Sequence, residues 1–151
     1  MTKQKENALD SRLALLLCAA VLFSVVRLLA QDAAVVARDG WVRLPLPSKS
    51  ETALFAVLEN HSPERRAVVS ASSDAADKVE MHEMKMDRAV MRMTPVSEIG
   101  IPANGKTSLN SNGLHLMLFG LKKRPAVGDT LTVTLKLDDG TSVVVKAEVR
   151  K

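Results

Sequence analysis

The chain has 151 residues, a length typical of one domain. Its formal net charge at pH 7 is +4, which falls to +2 when the four basic and two acidic residues of a leader-like N-terminus are left out. Such a small charge, with no tyrosine and one tryptophan, excludes the clustered basic and aromatic surface of a nucleic-acid-binding protein. The only cysteine, Cys18, lies in the leader, so the rest of the chain has no thiol for disulfides, nucleophilic catalysis or thiolate-bound metal centres such as blue copper.

Residues 1–30 are organised like a secretory signal. A polar, slightly basic segment, 1–12, precedes an apolar run at 13–26 that is shorter than the ~20 residues a membrane-spanning helix needs. Ala30 offers a small residue at the expected cleavage position. We therefore expect residues 1–30 to direct export to the periplasm.

An uncleaved N-terminal anchor helix over residues 13–30 is the alternative. Arg27 would then extend its charged end towards the membrane surface, and the domain would stay at the inner membrane. Lipidation at Cys18 is disfavoured, because Leu17 stands where lipoprotein signals have a small residue. Membrane contact is thus expected only through this segment, if it remains uncleaved.

After a short lead-in at residues 31–39, the segment 40–151 alternates between strand-like and turn-like stretches. The first predicted strands are Trp41–Leu44, Ala53–Leu58 and Arg66–Ala71, which end in proline-, asparagine- or serine-rich turns. Outside the leader, no stretch of ten residues has a convincing helical period.

Near the C-terminus, apolar residues alternate with polar ones over 131–137 and again over 143–149. The Asp138–Asp139–Gly140 turn between these segments predicts a β-hairpin. Closely spaced strands with short turns predict an all-β sandwich or barrel. We expect it to be a monomer.

Methionine is concentrated in one segment. Five methionines lie within thirteen residues, at positions 81, 84, 86, 91 and 93, and His82 lies among them. Methionine commonly fills gaps in a core, so a core role is the simplest interpretation. His61, in a polar turn before a proline, is expected to be a solvated loop residue.

Strand geometry favours a metal site instead. A turn at Asp87–Arg88 would pair His82 with Met93 and Met84 with Met91 across a hairpin, with opposed Cβ atoms about 4.5–5.5 Å apart. Beyond the Asn112–Gly113 turn, His115 and Met117 are two residues apart and would also share one face of a strand. The sequence thus offers two pairs, each of one imidazole and one thioether.

These four residues, His82, Met93, His115 and Met117, follow the spacing H-x10-M-x21-H-x-M. The spacing, and the sequence around it, resembles the PCuAC-like family of periplasmic copper chaperones associated with the CuA centre of cytochrome c oxidase. The resemblance extends over about residues 40–149. It implies a cupredoxin-like Greek-key β-barrel that binds one Cu(I) per domain through those two histidines and two methionines.

The resemblance also implies delivery of copper to an acceptor, either the oxidase subunit that carries CuA or a thiol-containing assembly factor. The donor chemistry agrees, since neutral thioethers and imidazoles suit Cu(I) and suit Mg²⁺, Ca²⁺ or Mn²⁺ poorly. Two alternatives remain at this point: a copper-sequestering tolerance protein, and an immunoglobulin-like interaction module whose methionines are core. No serine, histidine and aspartate stand at a spacing typical of a catalytic triad, and no glycine-rich phosphate loop is present, so we do not expect an enzyme.

Overall fold

The computed structural model describes residues 34–151. The predictions made for the leader, residues 1–30, lie outside this range. Within the described part of the chain, no helix is long and apolar enough to span a membrane.

The described residues form ten β-strands, which confirms the predicted all-β class. In chain order the strands are β1 (Val35–Arg43), β2 (Thr52–Asn60), β3 (Arg66–Ser72), β4 (Ala76–Asp87), β5 (Val90–Pro95), β6 (Ile99–Ile101), β7 (Gly105–Leu109), β8 (Leu114–Leu121), β9 (Thr130–Leu137) and β10 (Ser142–Arg150).

The strands pair in the order β5-β4-β8-β2-β1-β10-β9-β3-β6, and β7 pairs with β2. Most neighbours are antiparallel, whereas β1 and β10 are parallel. Of the predicted sandwich or barrel, the barrel is wrong, because the sheet does not close on itself. Strand β5 extends the sheet beyond β4 as the outer arm of a hairpin, while at the opposite end β6 pairs with β3 over only three residues.

The C-terminal hairpin forms as predicted. In β10 the buried residues alternate strictly with exposed ones, and Val143 and Val145 pair with Leu135 and Val133 of β9. The turn between the two strands has Gly140 at φ +84°, a left-handed conformation that glycine adopts without strain.

Strand β8 separates the core from the outer face of the sheet. Leu116 and Leu118 are fully buried in the core, so the alternation of a strand turns His115 and Met117 to the other face. Packing of the two leucines thereby fixes the direction in which the histidine and methionine point.

Leu118→Ala should lower the free energy of unfolding by about 2–5 kcal/mol, because it removes a fully buried side chain and leaves a cavity. Chemical denaturation of the full-length chain measures the change. Leu46→Ala is the control, since Leu46 is 67% exposed and its truncation should change stability by less than about 0.5 kcal/mol. Equal losses for the two variants would contradict this account of the core.

Candidate metal centre

Two histidines lie directly opposite each other on the outer face of the sheet. His82 of β4 is paired in register with His115 of β8, and the ring centroids are 6.0 Å apart. Their neighbours Met81 and Leu116 point into the core. Both histidines are nevertheless buried, at 7% and 4% exposure, so two imidazoles are held side by side with little access to water.

The proton of His115 is fixed by the backbone. Its Nδ1 lies 2.9 Å from the carbonyl oxygen of Gly113, which can only accept, so Nδ1–H donates and the neutral ring keeps its lone pair on Nε2. The same carbonyl accepts the backbone N–H of Met84, which links this turn to β4. A hydrogen bond of this kind orients a histidine for metal binding through its other nitrogen.

That Nε2 faces a thioether. Met93 Sδ of β5 lies 3.2 Å from His115 Nε2. With bonds of about 2.0 Å to nitrogen and about 2.3 Å to sulfur, as in zinc sites, an ion bound to both atoms would have roughly 95° between the two bonds. This angle is compatible with a distorted tetrahedral site. A soft metal ion could therefore bridge the two atoms at their present separation.

His82 is oriented by a carboxylate. Its Nε2 lies 2.8 Å from Glu80 Oε2, and Lys78 Nζ lies 2.8 Å from the other oxygen of Glu80. The hydrogen bond from Lys78, and then that from His82, holds the pKa of Glu80 below its ordinary value, although desolvation opposes the shift. Glu80 is thus a carboxylate at neutral pH and accepts the proton on Nε2 of His82.

The other nitrogen of His82 has no hydrogen-bond partner among residues 34–151. Nδ1 is buried, and in the neutral ring bonded to Glu80 it carries the lone pair. A buried polar atom without a partner is unfavourable unless something else satisfies it. Each histidine therefore has one nitrogen held by an acceptor and one nitrogen available to a metal.

Met117, the fourth residue of the predicted site, lies on the same face of β8 as His115. It is half-buried and pairs in register with Glu80. The structure thus brings His82, His115 and Met93 into one cluster and aligns Met117 beside it. The assignment of all four as ligands stays a prediction.

The hairpin that carries Met93 differs by one residue from the predicted one. The turn is Arg88–Ala89, and Asp87 stays in the strand, paired with Val90. Both turn residues have positive φ, 48° and 67°, as a two-residue type I′ turn requires. The predicted turn at Asp87–Arg88 is therefore wrong, since the left-handed pair begins one residue later.

The one-residue shift of the turn changes the residues that pair across the hairpin, but each side chain stays on its predicted face of the sheet. The observed pairs are Met86 with Met91, Met84 with Met93, and His82 with Pro95. Because each residue moves by two positions relative to its predicted partner, Met84, Met86, Met91 and Met93 stay on the side of His82. Met93 is now diagonal to His82 and reaches His115 instead.

Ala89→Gly should stabilise the hairpin. Alanine in the left-handed region costs about 1–2 kcal/mol, and glycine removes that strain while adding about 0.4–1 kcal/mol of unfolded-state entropy. The net gain should be about 0.5–1 kcal/mol by thermal or chemical unfolding. Ala71 of β3 does not have a positive φ, so the control Ala71→Gly should be destabilising. A gain in stability of the same size for Ala71→Gly would refute the explanation by backbone strain.

Aromatic side chains flank the histidines, and they are not among the residues predicted for the site. The ring of Phe55 lies 6.3 Å from that of His115, and the ring of Phe119 lies 6.0 Å from that of His82. Trp41 packs on Phe55 at 4.5 Å. Phe119 could have been found from its spacing of two and four residues from Met117 and His115, and Glu80 from its spacing of two residues from His82.

The methionines differ in burial. Met81 is buried in the core and Met84 and Met117 are half-buried, whereas Met86, Met91 and Met93 are 66%, 42% and 46% exposed. The interpretation of the whole cluster as core filler fails for these three residues. His61 is exposed in the turn after β2, 3.8 Å from Glu59, which confirms it as a solvated loop residue.

Within residues 34–151, no three side chains among histidine, cysteine, aspartate and glutamate are grouped so that they could hold a metal. The thioether of Met93 lies beside the two imidazoles as a further donor. The donor set of two imidazoles with neighbouring methionines selects a soft ion.

Comparison with known proteins agrees with the fold. Residues 35–149 match the model of the LpqE-like family, described as candidate lipoproteins. Lxx21020 of Leifsonia xyli subsp. xyli, named as a candidate lipoprotein, is 33% identical over 100 residues, which cover 66% of the present chain and 60% of Lxx21020. The chain thus spans less than two thirds of that relative.

Two solved structures are similar as well. The solution structure of CuI-DR1885 from Deinococcus radiodurans is 35% identical, with a TM-score of 0.60, and the match covers 81% of the present chain and 82% of DR1885. The copper-bound PCuAC domain from PmoF2 has a TM-score of 0.66 at 19% identity, over 78% of the present chain and 93% of the domain. The latter similarity supports the fold alone.

Proposed function

The chain belongs to the LpqE-like family, and on that premise we propose that it is an exported Cu(I) chaperone that transfers its ion to a copper-accepting protein. We assign one Cu(I) to His82, Met93, His115 and Met117. The similarity to DR1885, whose structure is named as its Cu(I) form, supports this choice of ion. We propose a monomer without enzymatic activity.

One observation carries the proposal: Met93 Sδ lies 3.2 Å from the His115 nitrogen that the Gly113 hydrogen bond leaves unprotonated. A thioether is a poor hydrogen-bond partner and a good ligand for a soft ion. His82, with its buried and unpartnered Nδ1, lies directly across the strand pair. The arrangement is better explained by a metal site than by packing alone.

The different exposure of the proposed ligands allows the ion to be exchanged with an acceptor. The histidines are buried, whereas Met93 lies on the edge strand β5 and is nearly half-exposed. An acceptor ligand can therefore replace the thioether of Met93 first, while the imidazoles still hold the ion. All four ligands are neutral, so the charge of Cu(I) is not compensated and its release is favoured over permanent burial.

The acceptor we propose is the CuA site of cytochrome c oxidase or a thiol-bearing assembly factor, since both offer thiolates to Cu(I). A sequestering protein would need the same ligands, and no observation favours it. The interaction module with methionines as core is disfavoured by the exposure of three of those methionines.

The test uses the full-length chain in mild detergent, with Cys18→Ser to remove its only thiol. After anaerobic loading with Cu(I) and desalting, we expect about one equivalent to be retained and then to pass to an apo CuA domain. Zero retention would refute Cu(I) binding. Retention without transfer to any apo acceptor would refute the chaperone and leave sequestration.

We further propose that the chain functions in the periplasm, after cleavage following Ala30. Mass spectrometry of the protein isolated from the cell envelope should then show Gln31 as the first residue and no lipid. An intact leader would indicate the anchored form. An N-terminal Cys18 with the mass of an attached lipid would contradict the prediction and agree with the description of the family.

A further inference from the structure

Three methionines near the turn of the β4–β5 hairpin are not used by the centre described above. Met86 is directly opposite Met91, and Met84 is one pair further along, opposite Met93. All lie on the same face of the hairpin as His82. The other face carries charged residues, with ion pairs between Lys85 and Glu83 and between Arg92 and Asp87.

Packing does not account for these three side chains. Met86 and Met91 are exposed and Met84 is only half-buried, so none fills a gap in the core as Met81 does. Exposed strand positions favour β-branched or aromatic residues, and methionine has no such advantage. Their thioethers are therefore available to a ligand.

The register allows the three sulfur atoms to converge. Directly opposed residues have Cβ atoms about 4.5–5.5 Å apart, and diagonal neighbours such as Met84 and Met91 about 7–8 Å. Methionine is unbranched and has three rotatable bonds, so its sulfur can cover such distances. Three thioethers form a neutral, soft site of low coordination number, which suits Cu(I) and no hard cation.

We propose that Met84, Met86 and Met91 form a second, weaker Cu(I) site, through which the ion enters and leaves the centre at His82 and His115. Met93 connects the two sites, since it pairs with Met84 on one side and contacts His115 on the other. Each transfer forms one copper–ligand bond as another breaks, and copper remains Cu(I). The role in transfer rests on the proposed function, whereas the binding of the ion does not.

The experiment is an anaerobic equilibrium titration of the full-length Cys18→Ser chain with Cu(I), followed by X-ray absorption. The parent should bind about two equivalents, the weaker of which is lost on desalting. The triple-leucine variant, Met84→Leu/Met86→Leu/Met91→Leu, should bind one equivalent of Cu(I), with nitrogen and sulfur ligands around the copper. His82→Ala/His115→Ala should also bind one, with sulfur only. Met81→Leu, a conservative change in the core, should match the parent.

The outcomes separate this proposal from the proposed function. One equivalent in both the parent and the triple-leucine variant would refute the second site and leave the chaperone intact. No binding by the parent would refute both. Because the buried histidine variant can lose its fold, the triple-leucine variant provides a second test: Cu(I) uptake by the desalting-resistant site, followed in a stopped-flow instrument, should be at least several-fold slower than in Met81→Leu. An unchanged uptake rate would refute the role in transfer.

Discussion

Replacing His115 by alanine should weaken Cu(I) binding by more than about 100-fold. Loss of a group that only orients a metal ligand already costs about 10–100-fold, and this change removes the proposed ligand itself. Nε2 of His115 is the nitrogen that faces Met93 Sδ, so the change leaves that thioether without its imidazole neighbour. Competition with a chromophoric Cu(I) chelator measures the change. Met93→Leu should also weaken binding, and it should leave the fold intact because Met93 is nearly half-exposed and lies outside the core.

His61→Ala is the matched control for this prediction. It removes the one imidazole of the chain outside the His82–His115 pair, and His61 is exposed in a turn after β2, 3.8 Å from Glu59. We expect parental Cu(I) affinity for this variant. A loss as severe as that of His115→Ala would show that the copper centre is elsewhere.

Local patterns were sufficient to predict the β9–β10 hairpin and the faces of its strands, whereas β1 begins at Val35, inside the segment predicted as a lead-in. The alternation in β9 and β10 is strict because one side of each strand faces the core, and the Asp-Gly sequence marks the turn between them. The same alternation separates His82, Met84 and Met86 of β4 from Met81, which faces the core. Such faces depend only on the two-residue period of a strand.

The register of the β4–β5 hairpin could not be predicted in the same way. Neither Arg88 nor Ala89 favours a positive φ, so the sequence does not mark the type I′ turn that they form. The turn lies one residue later than predicted, so Met93 is diagonal to His82 and not directly opposite it. The contact between Met93 and His115 therefore follows from the fold, as does the open edge at β5.

The groups that hydrogen-bond to the two histidines could not be predicted from the spacing of the four predicted ligands either. Glu80 shares the face of His82, but its role depends on the orientation of the imidazole, which places Nε2 2.8 Å from the carboxylate. The carbonyl of Gly113 acts on His115 in the same manner. Both contacts determine which nitrogen of the imidazole carries the proton, and a sequence pattern cannot predict this.

The domain should bind Cu(I) several orders of magnitude more tightly than Cu(II), and this expectation follows from the ligands. Cu(II) prefers nitrogen and oxygen donors in tetragonal geometry, whereas thioethers favour Cu(I), which tolerates distorted and low coordination. Competition titrations with one chelator specific for each oxidation state measure the two affinities. The Cu(I) complex should be colourless, since residues 34–151 contain no thiolate that could give an intense charge-transfer band.

Glu80 provides a direct test of this prediction, because its carboxylate is a hard donor in contact with His82 and could hold Cu(II) together with that imidazole. Glu80→Gln would then weaken Cu(II) binding strongly and Cu(I) binding little, since the amide oxygen can still accept the proton of His82. Tight Cu(II) binding by the parent, lost in Glu80→Gln, would overturn the thioether site. Weak Cu(II) binding in both proteins, with Cu(I) affinity dependent on Met93 and Met117, is the result that a Cu(I) chaperone requires.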